Sequence, residues 1–216
     1  MMKLTIVYDN EIYKKMPGKS DHGFSCFIET NNHNILFDTG TNGNILLENM
    51  KFLSINPNTI DIVVISHEHY DHNGGLSLLK EHLDNPMIYR LEVDISSKDT
   101  KEIRVTKPMQ ITKYIHTTGR LPGNPLDEQS LLLETKNGIF VVTGCSHPGL
   151  KQILAIAEKQ GNVTGLLGGF HGFSDFSILK EIQNIYPCHC TKYKKEIQEQ
   201  FPKNSFSCGV GLTLKL

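Results

Sequence analysis

No stretch of the chain comes near the roughly 20 consecutive apolar residues that a membrane-spanning helix needs, so a helical membrane protein is excluded as an expectation. The apolar opening "LTIVYD" is too short for a secretory signal and charge follows it at once, which makes the cytoplasm the expected location. Neither sign of charge dominates, with 22 Lys plus Arg against 23 Asp plus Glu and a net charge of -1. A basic footprint is therefore missing, and neither nucleic acid nor an anionic membrane is expected as a partner. The 5 cysteines are odd in number and sparse, which argues against a disulfide framework. Cys188 and Cys190 are one residue apart and so are no C-x-x-C pair; all five read as reduced thiols. Arginine is scarce too. Arg90, Arg104 and Arg120 are the whole supply for bidentate phosphate clamping, and Arg120, in "TGRLPGNP", is the best placed by loop chemistry. With no low-complexity segment and no long linker, 216 residues at 38% hydrophobic read as one globular domain over 1–216.

What is present is strand, hairpin and helix punctuation. "LTIVYD" reads as a first strand. "GFSCFIET" and "NILFDTG" read as a hairpin turning at Asn31-Asn32-His33. "GNILLENMKFL" has helical spacing and is followed by Pro57. "DIVVIS" is the β-branched run of a buried strand, and "LSLLKEHL" an amphipathic helix. Residues 86–127 are expected to hold short strands, "MIYRLEV" and "KYIHTT", and a Gly/Pro-rich loop that shapes a pocket. "SLLLET" and "GIFVVTG" bracket a second hairpin turn at Lys136-Asn137. Strand–loop–helix units follow: "IFVVT" to "LKQILAIAEKQ", "VTGLLGG" to "SILKEIQN", and "IYP" to "TKYKKEIQEQF", before "GVGLTLKL" closes a sheet. The pattern predicts two sheets packed together with helices outside, each half carrying hairpins and then a buried strand that ends in a His-bearing loop.

The donors fall where such architectures build sites. Four loops after apolar strands carry histidine: "SHEHYDH", "GCSHPG", "GGFHG" and "PCHCT". His67 and His69 lie two apart, so in extended chain both side chains point one way. Asp71 and His72 follow after the chain begins to turn and can aim at a second point. Imidazole with carboxylate suits zinc, iron or manganese, and two ions suit this spacing better than one. His147, His189 and His171 are further candidates by context, His171 as ligand or substrate contact. His22, His33, His82 and His116 lack that context and read as surface or core residues. Asp38 sits where a strand meets a Gly turn and reads equally as a turn cap or as the partner that orients a ligand histidine. Other motifs fail. Asp71 stands where H-E-x-x-H needs histidine, and Pro148 where G-x-S-x-G needs glycine. Gly168-Gly169 lacks the Lys and Ser/Thr of a P-loop, and "KYKKE" reads as a solvated helix face.

"HEHYDHNGG" resembles the H-x-H-x-D-H signature of the metallo-β-lactamase superfamily. The likeness runs through "LFDTG", "VVTGCSHPG", "LLGGFHG" and "PCHCT", and the last three resemble a branch typified by 7,8-dihydropterin-6-methyl-4-(β-D-ribofuranosyl)-aminobenzene-5'-phosphate synthase. The resemblance implies an α+β / α/β fold, a four-layer αββα sandwich of the metallo-β-lactamase type. It implies two divalent metal ions, zinc first with iron or manganese as alternatives. His67, His69 and His147 would hold one, and Asp71, His72 and His189 the other. Many relatives place a bridging aspartate where this chain has Cys145. Oxygen-reducing diiron relatives carry Glu where this chain has His69, so His69 points to hydrolysis. The implied function is hydrolysis of a phosphoester or nucleotide-like small molecule by metal-generated hydroxide. Asp71 would orient the nucleophile, and His171 would hydrogen-bond developing charge. The alternatives are a synthase-type transferase, joining a pterin pyrophosphate to an aminobenzene ribotide, and a non-catalytic metal-bound sensor or redox protein.

Overall fold

The computed structural model describes residues 2–92 and 101–216, which fall into two compact units. Unit 1 is built from residues up to Val105 together with Gly209–Leu216, and unit 2 from Thr106–Cys208. The expected strand "MIYRLEV" and the link that follows it lie partly outside the described residues. Among the described residues no helix is long and apolar enough to cross a membrane.

Unit 1 holds a mixed sheet in the order β13-β1-β2-β3-β4-β5-β6. Its strands are β1 (Lys3–Tyr8), β2 (Ser25–Glu29), β3 (Asn34–Phe37), β4 (Ile62–Val64), β5 (Met87–Arg90), β6 (Glu102–Arg104) and β13 (Thr213–Lys215). The first hairpin is where the sequence placed it. Thr30 N–H donates to the His33 carbonyl at 2.9 Å, and β2 and β3 pair antiparallel. From β3 onward the pairing is parallel. Phe27, Leu36, Val63 and Ile88 are register partners in one row across the sheet. They pack with Leu46 and Met50 of helix α1 (Gly43–Phe52) and with Leu76 and Leu79 of helix α3 (Leu76–Lys80). Asn42 caps α1, its side chain accepting from the Asn44 and Ile45 N–H groups. The alternate residues Ile6, Ile28, Ile35 and Val64 are also buried, so apolar side chains fill both faces of the strands, as the unbroken β-branched runs foretold.

Unit 2 repeats the plan in its own sheet, β12-β11-β10-β9-β8-β7. The strands are β7 (Met109–Thr112), β8 (Ile115–Thr117), β9 (Leu131–Thr135), β10 (Gly138–Thr143), β11 (Val163–Gly169) and β12 (Asn184–Cys188). β7 to β10 form an antiparallel meander, and β10, β11 and β12 then run parallel. Leu132, Val141, Leu166 and Ile185 form the matching row, covered by Leu150, Ile153 and Leu154 of helix α4 (Leu150–Ala157) and by Ile197 of helix α5 (Lys194–Gln200).

"SILKEIQN" departs from expectation. It forms a 3₁₀ turn over Phe176–Leu179 rather than an α-helix. Lys180 N–H reaches the Ser177 carbonyl and Ile182 N–H the Leu179 carbonyl, three residues back in each case. Leu179 and Ile182 are three apart and both enter the core, which a three-residue repeat serves as well as a helix. Gly168 is required where β11 nears its end. Its φ is +133°, and a Cβ there would lie 2.0 Å from the Thr143 carbonyl oxygen. Gly168→Ala is therefore expected to cost about 3 kcal/mol or more, from a backbone region reserved for glycine and from overpacking. A thermal melt measures it, and a change under ~0.5 kcal/mol would contradict this account.

Candidate metal-binding loops

In unit 1 the donors follow the ends of β3 and β4. Asp38, directly after β3, has φ +60°, a left-handed conformation that Asp tolerates better than most side chains. It is fully buried. Its Oδ1 accepts the Ser66 N–H at 2.7 Å, and its Oδ2 accepts from Ser66 Oγ at 2.7 Å and pairs with His72 Nδ1 at 2.7 Å. Ser66 Oγ also lies 2.9 Å from His67 Nδ1. The Nδ1 atoms of His67 and His72 thus each have an oxygen partner, which sets both rings with Nε2 on the far side. His67 Nε2 lies 3.1 Å from His69 Nδ1. Two nitrogens each about 2.0–2.1 Å from one tetrahedral zinc would stand roughly that far apart. The His67 ring is 4.2 Å from the His72 ring, centroid to centroid. His69 precedes helix α2 (Tyr70–Asn73), whose first turn places Asp71 and His72. Asp71 Oδ2 is 3.6 Å from His72 Nε2.

The loop is held from behind. Glu68 takes Arg90 Nε at 3.1 Å and Nη2 at 2.5 Å, and also accepts from Asn73 Nδ2 at 2.9 Å. Burial works against the Arg90 charge, but Glu68 and then Glu102 outweigh it and hold its pKa above the ordinary value. Arg90 is thus committed to protein carboxylates rather than to a substrate phosphate. Arg120 likewise faces Asp127, with Nε 3.6 Å from Oδ2, so the phosphate clamp expected of it has a competing protein carboxylate.

In unit 2 the donors follow three neighbouring parallel strands. Gly144–His147 leaves β10, Phe170–His171 leaves β11, and His189 leaves β12. Ser146, His171 and His189 have φ of +61°, +46° and +47°. Backbone so strained in consecutive loops costs about 1–3 kcal/mol a residue and gathers where function demands it. Ser146 Oγ donates to the Gly169 carbonyl at 2.7 Å, and Thr191 Oγ1 accepts from the Phe170 N–H at 2.9 Å. Lys192 N–H donates to the His171 carbonyl at 2.9 Å, so the three loops are tied together. The His147 and His171 rings are 5.2 Å apart. His171 is exposed, His147 half-buried, and His189 and Cys145 buried. Donor sets of His, Asp and Cys able to hold a metal occur among the described residues, and this composition fits a borderline or soft divalent cation.

Two participants escaped the sequence reading. His22 is on the surface, as expected of it, but its Nε2 is 3.1 Å from Asp71 Oδ2. Nothing in its local sequence signals this; Gly23 beside it is the trace, since a Cβ there would meet the Asp71 carbonyl oxygen at 2.6 Å. Glu128 is the other. It is fully buried beneath Gly144–His147, with its partners on the loop backbone.

The metallo-β-lactamase superfamily domain model matches residues 19–175. The chain belongs to the metallo-β-lactamase superfamily. Its fold is that of solved superfamily structures, in line with the α+β architecture expected from the sequence. A crystal structure of Tm1679, described as a metal-dependent hydrolase of the β-lactamase superfamily, superposes with a TM-score of 0.78 at 26% identity, over 100% of this chain and 99% of that one. A diphosphatase from the PhnP family shares the fold alone, with a TM-score of 0.67 at 14% identity over 100% and 98% of the two chains. Among curated proteins, the 7,8-dihydropterin-6-methyl-4-(β-D-ribofuranosyl)-aminobenzene-5'-phosphate synthase of Methanocaldococcus jannaschii is 27% identical, covering 92% of this chain and 91% of its own. An uncharacterized protein of the same organism is 29% identical, over 88% and 91%. The synthase supports the branch that "GCSHPG", "GGFHG" and "PCHCT" resemble.

Proposed function

We propose that this metallo-β-lactamase superfamily member is a cytoplasmic dinuclear metal-dependent hydrolase of a phosphoester or nucleotide-like small molecule. In this proposal His67, His69 and His147 hold one divalent cation, and Asp71, His72 and His189 the other, with Cys145 as a further soft donor to the second. Zinc heads the choice, then iron or manganese. The single observation that carries the reading is the orientation of His67 and His72, each with Nδ1 occupied by a buried oxygen and Nε2 turned away from it. Histidines held this way have a fixed tautomer, the arrangement metal ligands use.

Two such cations supply a lowered pKa for bound water, toward about 7, and polarise a substrate oxygen. The chain's own residues do the rest. Asp71 orients the nucleophile, and His22, at its carboxylate, steadies it. His171, exposed beside His147, reaches the developing negative charge and donates a hydrogen bond to it, worth about 2–4 kcal/mol. The backbone N–H groups of 144–147 are not an oxyanion hole, because Glu128 already occupies them. Ser146 is no nucleophile either, since its hydroxyl is spent on the Gly169 carbonyl.

A second reading is the synthase-type transfer, favoured by the 27% identity that spans 92% of the chain. Purified protein should contain metal by elemental analysis and lose activity on chelation; metal-free protein that binds no added zinc, iron or manganese would end both readings. Turnover of bis-p-nitrophenyl phosphate supports the hydrolase. Activity confined to a pterin pyrophosphate with an aminobenzene ribotide replaces it with the transferase.

A further inference from the structure

A carboxylate is buried beneath the His147 loop of unit 2. Glu128 is 0% exposed. Its Oε1 accepts the N–H groups of Gly144 at 2.9 Å, Cys145 at 3.0 Å and Ser146 at 3.1 Å, and the Thr143 hydroxyl at 3.0 Å. Its Oε2 accepts the His147 N–H at 2.9 Å. Successive N–H groups pointing at one centre, with Ser146 in the left-handed region, form an anion-binding concavity of the kind that elsewhere receives phosphate. Here the protein fills it with its own side chain. A buried carboxylate of this kind needs hydrogen bonds in compensation, and the loop 144–147 supplies its backbone N–H groups with the Thr143 hydroxyl beside them.

That loop carries Cys145 and His147. Its far side is tied to the β11 end through Ser146 Oγ and the Gly169 carbonyl, and Ser130 Oγ extends the chain by donating to Thr143 Oγ1 at 3.2 Å. We propose that Glu128 is the positioning residue of the metal-binding loop: it sets the backbone of residues 144–147 so that the Cys145 and His147 side chains meet metal in a fixed direction. This rests on the reading of Cys145 and His147 as metal donors. It goes further by assigning their placement to a residue that touches neither metal nor substrate.

Glu128→Gln tests it with little change in size. The amide oxygen replaces Oε1 and keeps the four donors there. The amide NH₂ then faces the His147 N–H, two donors meet, and His147 is displaced. The full-length variant is compared with the native protein by chelator competition for zinc, by the visible spectrum after cobalt(II) substitution, and by the melting temperature of the metal-free form. Metal affinity is expected to fall about 10–100-fold, and the cobalt bands to shift, while the metal-free melt remains cooperative. A purely structural role would lower the melting temperature and leave the affinity and the spectrum of the folded fraction unchanged; that result overturns the proposal. If Glu128→Gln does not fold, Glu128→Asp, which keeps the charge but withdraws it by one methylene, is read in the same way. A native protein that binds no cobalt or zinc refutes the metal reading itself. A native protein that binds them, with a variant that binds them equally well, refutes only the role of Glu128.

Discussion

His67→Ala is expected to lower turnover on the order of a thousandfold and to remove about one equivalent of bound metal. Lewis-acid activation contributes several kcal/mol to a barrier, and each ~1.4 kcal/mol is a factor of ten. The residue is the hub of its unit. Its ring lies 2.9 Å from Ser66 Oγ, 3.1 Å from His69 Nδ1 and, centroid to centroid, 4.2 Å from the His72 ring. Steady-state rates with bis-p-nitrophenyl phosphate, with elemental analysis of the same sample, provide the measurement. Activity within tenfold of native, at native metal content, would remove His67 from the ligand set.

The second large effect is at Asp38, and its two substitutions separate stability from metal binding. Asp38→Ala leaves the Ser66 N–H, Ser66 Oγ and His72 Nδ1 without their carboxylate in a fully buried place. The loss is expected to be about 3–5 kcal/mol, which lowers the melting temperature by roughly 10 °C in a chain of this size. Asp38→Asn is subtler. Asparagine also accepts the +60° φ, and its oxygen keeps the Ser66 N–H. Its NH₂ faces His72 Nδ1, so the imidazole moves its own proton to Nε2, the atom that the proposed metal site needs unprotonated. Metal affinity is expected to fall about 10–100-fold with only a small change in the melt. Nitrogen NMR of the His72 ring reads the tautomer directly. An unchanged tautomer with native affinity would contradict the orienting role of Asp38.

Much of this is legible in the sequence alone. The hairpins at Asn31–His33 and Lys136–Asn137, the buried run before His67 and the His-bearing loops after parallel strands all follow from β-branched clustering and turn residues. Asp38 was readable as one of two things, and its hydrogen bonds to Ser66 and His72 select the orienting one. The misses share a cause. Glu128 lies in "LDEQSL", polar residues that any burial pattern places outside, and only the loop folded over it explains why it is inside. The contact of His22 with Asp71 spans 49 positions and has no local signature. β6 and β7 are too short for alternation to register. "SILKEIQN" satisfies two periods at once, and packing of Leu179 and Ile182 chose the tighter one.

β13 has a consequence for how the chain matures. Residues 209–216 complete the sheet of unit 1 by pairing with β1, with Lys3 opposite Lys215 and Leu4 opposite Leu214. They leave the ribosome only after the whole of unit 2 has been made. During synthesis β1 is consequently a bare sheet margin for the time it takes to translate about a hundred residues, several seconds or more. Such a margin invites pairing with other nascent chains, and β13 is the clasp that covers it once residues 213–215 pair with β1.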